Sequence, residues 1–145
     1  AIERVRDAMV IAVERADKME LKNLFFVTAD VSNLNDFFED GEVDRIYINF
    51  CDPWPSNRHA KRRLTAPAFL DSYFKLLGTR GEIHFKTDNA PLFSWSVEQF
   101  RNCGWNFSFL SDNLHENGIN GIMTDYESKF YNMGIPIHRL VAQHS

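Results

Sequence analysis

Three apolar runs, each closed by an acid, constrain the fold of this chain more than any other feature of its sequence. "NLFFVTAD" covers residues 23–30, "RIYINF" leads into Cys51 and Asp52, and "GEIHFKTD" covers residues 81–88. Short apolar runs of this kind read as strands buried on both faces. Helix-period segments alternate with them. Val5, Ala8, Met9, Ala12, Val13 and Ala16 follow the i, i+3, i+4, i+7 spacing of a helix with one apolar face. Thr65 is placed to cap a second helix, Pro67 sits in its first turn, and Leu70, Tyr73, Phe74 and Leu77 carry it to Gly78. Phe93, Val97 and Phe100 line a third, which runs to Gly104. "WNFSFL" (105–110) and "IPIHRLVA" (135–142) read as strands flanking a Gly- and Asn-rich loop. Strand, helix, strand in short alternation predicts the α/β class, a mostly parallel, doubly wound sheet with helices on both faces.

In such sheets ligands sit beyond the carboxyl ends of the strands. Asp30, Asp52 and Asp88 all stand there, and Glu3 is a fourth if the chain opens inside a strand. A single acid after a strand commonly caps the next helix; repetition at equivalent places favours a shared crevice. The sequence holds no GxGxxG, no GxxxxGK[ST] and no metal-ligand spacing. Acids without phosphate-binding glycines suit ligands rich in hydrogen-bond donors or carrying positive charge. S-adenosylmethionine and guanine both qualify, the latter because its ring N–H and exocyclic amine can donate side by side to one carboxylate.

Composition narrows the setting. At 145 residues, 44% of them hydrophobic, the chain has material for one well-buried domain, expected over residues 1–145. A formal charge of −4 argues against a uniformly basic surface, so nucleic acid would need a local patch. Two distant cysteines, Cys51 and Cys103, make neither a disulfide framework nor a zinc site, and a reducing cytoplasm fits them. No apolar run approaches a membrane span.

The local basic patch exists. "FCDPWPSNRHAKRRL" places Asp52 between prolines and aromatics, then Arg58, His59, Lys61, Arg62 and Arg63 in close succession. Pro53 and Pro55 stiffen the acidic corner and Trp54 offers a face for base stacking. The basic ridge reads as a grip on RNA phosphates, with a solvated turn as the ordinary alternative.

These stretches also carry a resemblance. "INFCDPWPSNRHAKRRLT", "GEIHFKTDN" and "TDYESKF" with the later "PIHRL" are similar to the TrmB-type tRNA (guanine-N7-)-methyltransferases, and the likeness spans nearly the whole chain. The resemblance implies a Rossmann-like class I methyltransferase fold, S-adenosylmethionine as cofactor and tRNA as partner, with no metal and no membrane, in a monomer or homodimer. It assigns Glu3 and Asp30 to the cofactor, and Asp52 to cofactor contact and catalysis. It assigns Asp88, Thr124, Asp125, Tyr126 and Glu127 to the target guanosine, in the family a variable-loop guanine. Many family members carry Lys where Ser56 stands. Ser56 keeps the substrate-binding position, and the contact that the lysine would make is expected to be either missing or supplied by Arg58 or Lys61. The family's first strand and glycine-rich turn would precede Ala1, so the domain is expected to be incomplete at its N-terminus and its cofactor binding weak or lost. Two other readings stay open: a noncatalytic RNA-binding subunit, and an exocyclic-amine methyltransferase suggested by DPWP.

Overall fold

The computed structural model describes residues 1–144 in two compact units, residues 1–37 and the remainder. In the first, strand β1 (Ile2–Glu3) leads to helix α1 (Arg6–Lys18) and then to strand β2 (Val27–Thr28). β1 and β2 pair in parallel, Ile2 opposite Val27 and Glu3 opposite Thr28. Met9 and Ala16, a turn-spaced pair on α1, are buried. The strand expected over 23–30 is therefore only two residues long, and Phe25 is exposed. A ladder extends only as far as its partner, and β1 ends at Glu3.

The second unit orders its strands β3 (Val43–Asn49), β4 (Leu77–Thr87), β6 (His138–His144), β5 (Trp105–Ser111). β3 and β4 are parallel, while β6 runs antiparallel to both β4 and β5. Helices α2 (Pro67–Leu76) and α3 (Ala90–Asn102) touch each other and both lie against β4. Alternation along β4 sets the layers. Ile83 and Phe85 are fully buried, with Phe85 stacked on Phe93 of α3, whereas Glu82, His84 and Lys86 point to the opposite, half-exposed face. β3 is the edge of this sheet and Tyr47 on it is 60% exposed, so "RIYINF" is not buried on both faces as its composition suggests.

Two helix boundaries differ from expectation. Thr65 does not cap α2. It is buried and its hydroxyl pairs with that of Ser96 on α3 at 2.6 Å, and Ala66 takes the cap position without a side-chain bond. α2 also passes into β4 at Leu77 without waiting for Gly78. The glycine demanded there is Gly81, where a Cβ would lie 2.5 Å from that of Leu77. "IPIHRLVA" begins its ladder at His138, since Pro136 has no N–H to contribute.

Candidate active site

β3 and β4 are parallel neighbours with Asn49 opposite Lys86, so the segments carrying Asp52 and Asp88 leave adjacent strands at the same end. The Phe50 amide donates to the Lys86 carbonyl at 2.9 Å and carries the pairing one step past the ladder. Asn89 caps α3 by accepting from the Leu92 amide at 2.8 Å, which leaves the Asp88 carboxylate outside the cap. The Asp52 side chain is exposed at the tip of the corner.

The corner itself is strained. Phe50 has φ +53° and Trp54 φ +42°, both left-handed values in residues with bulky side chains, and Trp54 also precedes a proline. Such conformations cost about 1–3 kcal/mol each and persist where surrounding contacts fix them. Phe50 is held by its bond to the Lys86 carbonyl and by the Tyr126 ring, and Arg63 fixes the Trp54 end. Its Nε donates to the Pro53 and Trp54 carbonyls at 3.1 and 3.2 Å, its Nη2 donates to the Trp54 carbonyl at 3.0 Å, and its guanidinium lies 4.4 Å from the Trp95 ring centroid. Arg63 is buried, and its donors face protein carbonyls instead of phosphate. In this respect it departs from the ridge it was grouped with.

Ser56 opens a 3₁₀ turn, Asn57–Arg62, that carries the rest of that ridge. Arg58, Lys61 and Arg62 are exposed; His59 is half-buried with its ring edge-on to Trp54 at 5.8 Å. Arg62 lies 5.0 Å over Trp54, so the tryptophan is held between a cation and an imidazole. Cys51 contributes no nucleophile. Burial pushes its thiol up to about 11, and the neighbouring Asp52 adds to the effect.

Helix α4 (Asp125–Asn132) reaches the same corner through Tyr126, whose ring stands 4.9 Å from that of Phe50. A capping box starts α4. Thr124 Oγ1 accepts from the Glu127 amide at 3.1 Å, and the Glu127 carboxylate accepts from the Thr124 amide at 3.4 Å. Glu127 is fully buried and also accepts from Lys86 Nζ at 2.9 and 3.0 Å and from His115 Nε2 at 2.7 Å. Burial alone would raise its carboxyl. Hydrogen bonds from Lys86 and His115, the Lys86 charge and the Thr124 amide outweigh burial and hold it below the ordinary 4.5. Asp125 and Tyr126 are exposed. Phe50, Trp95, Lys86 and His115 were not among the expected site residues; Lys86 was legible as a polar member of the period-two face of "GEIHFKTD".

In the first unit, Glu3 ends β1 and Asp30 follows the parallel neighbour β2. Glu3 accepts from the Val5 amide at 2.8 Å. Asp30 caps the following 3₁₀ turn, accepting from the Ser32 amide at 2.9 Å and its hydroxyl at 2.7 Å. The Ser32 amide and hydroxyl outweigh desolvation, Arg4 at 3.8 Å assists, and the Asp30 carboxyl is held below its usual range. Both carboxylates are thus oriented by bonds to their own following segments. Among the described residues no cluster of three metal-binding side chains occurs, and no helix is long and apolar enough to cross a membrane.

Comparison with known proteins places this arrangement. Residues 1–140 match the family described as "Putative methyltransferase". A protein of Macrococcus caseolyticus named tRNA (guanine-N(7)-)-methyltransferase is 47% identical over 143 residues, covering 98% of this chain and 68% of the relative. One of the same name from Halalkalibacterium halodurans is 49% identical over 143 residues, covering 98% and 65%. The chain thus spans about two thirds of the length of the curated relatives it matches. Among solved structures, precorrin-6y C5,15-methyltransferase from Geobacter metallireducens superposes with a TM-score of 0.65 at 15% identity, covering 100% of this chain and 66% of that one. A SAM dependent methyltransferase from Aquifex aeolicus gives 0.64 at 12%, covering 98% and 66%. These likenesses establish the Rossmann-like α/β fold of class I methyltransferases, with β6 as the reversed strand.

Proposed function

Because the chain belongs to the TrmB-type tRNA (guanine-N7-)-methyltransferase family, we propose that it methylates N7 of a guanine in tRNA, the acceptor being a variable-loop guanine. The observation that carries this reading is the convergence at the ends of β3 and β4. An exposed Asp52 in a strained, arginine-braced corner stands beside a helix drawn in by Tyr126 and Glu127.

S-adenosylmethionine supplies an electrophilic methyl carbon on a cationic sulfur. Guanine N7 holds a lone pair and no proton, so no base has to remove one before attack. In the transfer the N7–carbon bond would form as the carbon–sulfur bond broke, the sulfur would keep the bonding pair, and the positive charge would pass to the purine. Asp52 faces that charge throughout and stabilises it. Asp88 and Thr124 supply acceptor and hydroxyl groups for the base edge, and Tyr126 and Trp54 supply aromatic faces. Glu3 and Asp30 serve as acceptors for the ribose diol and adenine amine of the cofactor. Alignment of two bound partners then provides most of the rate. The free thiols of Cys51 and Cys103 fit a reducing cytoplasm.

Incubating the protein with S-adenosylmethionine and tRNA, then digesting the RNA for nucleoside mass spectrometry, tests the reading. N7-methylguanosine is the expected product. An N6-methyladenine or N4-methylcytosine product overturns it in favour of amine methylation, and tight tRNA binding with no methylated nucleoside favours a noncatalytic subunit.

The exposed ridge has its own expected outcome. Arg58→Ala, Lys61→Ala and Arg62→Ala should each flatten the salt dependence of tRNA binding by about 0.7–0.9 in log–log slope. Unchanged slopes in fluorescence titrations across a salt series would reduce the ridge to solvated surface.

A further inference from the structure

The Glu127 carboxylate is engaged entirely within the protein. A carboxylate offers roughly four acceptor sites. Lys86 Nζ, His115 Nε2 and the Thr124 amide direct four contacts at the two Glu127 oxygens, with none of the residue exposed. Lys86 is equally occupied. Beyond Glu127, its ammonium donates to the Ile122 carbonyl at 3.2 Å.

His115 completes the arrangement from the other side. Its Nδ1 accepts from the Asn120 amide at 3.1 Å, so the ring proton resides on Nε2 and is donated to Glu127. Tyr131 stands edge-on to the imidazole at 5.3 Å. The segment between β5 and α4 is therefore fastened at Asn120 through His115 and at Ile122 through Lys86, with Glu127 as the common anchor. The main chain of Lys86 meanwhile holds Phe50, the first residue of the Asp52 corner.

We infer that Lys86, Glu127 and His115 form a buried latch whose role is positioning: it fixes the Thr124–Tyr126 segment against the Asp52 corner. The inference rests on the guanine-methylating reading of the same site. Thr124 remains suited to the base, because its oxygen accepts from the Glu127 amide while its hydroxyl proton stays available. Tyr126, half-exposed and seated on Phe50, presents a face to it. The latch also explains a lysine at the end of an otherwise half-exposed strand face: only a long flexible cation reaches both a carboxylate on α4 and a loop carbonyl.

The test uses Lys86→Met and, because a lone buried carboxylate can prevent folding, the double variant Lys86→Met/Glu127→Met. The expected result is faster amide exchange at Asn120, kcat/KM for tRNA reduced about 100-fold by misplacement of the pocket, S-adenosylmethionine affinity within about two-fold, and an unchanged salt slope. A slope reduced by about one counterion in Lys86→Met would mean that Lys86 contacts phosphate directly, and overturns the inference. Wild-type kcat/KM in the double variant overturns it too. The exchange readout needs no catalysis, so a wild-type protein that makes no N7-methylguanosine refutes the function while accelerated Asn120 exchange still supports the latch.

Discussion

Asp52→Ala is expected to lower turnover by about two to three orders of magnitude, the usual loss when a preorganised electrostatic stabiliser is removed, while tRNA affinity stays within a few fold. The argument is one of place and of charge. Asp52 is exposed at the apex of a corner whose backbone is held by other residues, so deleting its side chain leaves Phe50, Trp54 and Arg63 in their contacts. The ridge that would hold RNA follows on a separate 3₁₀ turn and is untouched. On the proposed mechanism, what disappears is the negative group that stabilises a charge in transit from sulfur to purine. Asp52→Asn keeps the shape without the charge and should lose nearly as much. Single-turnover rates beside filter-binding affinities decide the matter: a variant with wild-type turnover removes Asp52 from the mechanism.

Arg63→Ala should act through stability. The three hydrogen bonds it gives to the Pro53 and Trp54 carbonyls, and its place over Trp95, hold a corner containing two left-handed residues. Bonds from a charged donor contribute about 1.5–3 kcal/mol, and carbonyls left without partners add a penalty, so a loss of about 3 kcal/mol is expected. For a chain of this size that is a fall in Tm of roughly 6–12 °C. Arg63→Lys should recover little, since an ammonium cannot present a planar fork to two carbonyls. Arg62→Ala, one residue earlier and exposed, should leave melting within about 0.5 kcal/mol of wild type. Equal melting of Arg63→Ala and Arg62→Ala in calorimetry would refute the brace.

The contrast between those neighbouring arginines shows where sequence reasoning stops. The run of basic residues was visible, and so was its position after the acidic corner. The 3₁₀ turn repeats every three residues and leaves Arg58 and Lys61 in one row. At Arg63 the backbone turns extended, φ −64° and ψ 133°, and the side chain departs inward. No composition rule marks that residue as the buried one. Likewise Glu127 was legible as a polar member of "TDYESKF", but its burial depends on Lys86 and His115, 41 and 12 positions away. The order of elements from Pro67 to Ser111 followed from periodicity because each segment buries one apolar face locally. The direction of β6 did not, because its alternation reads the same whichever way the strand runs. "NLFFVTAD" misled for a related reason: apolar content signals burial, while strand length is set by the pairing partner.

The insertion of β6 between β4 and β5 bears on how the protein is made. Glu82 and Gln143, bonded at 2.7 Å, are 61 residues apart. During translation β4 and β5 leave the ribosome as strands whose facing edges have no neighbour until residues 138–144 arrive. Pairing over that separation is slow, and waiting edges invite intermolecular pairing. A nascent chain halted before residue 138 therefore leaves those two facing edges unpaired, and the sheet of the second unit closes only when β6 threads between its two older neighbours.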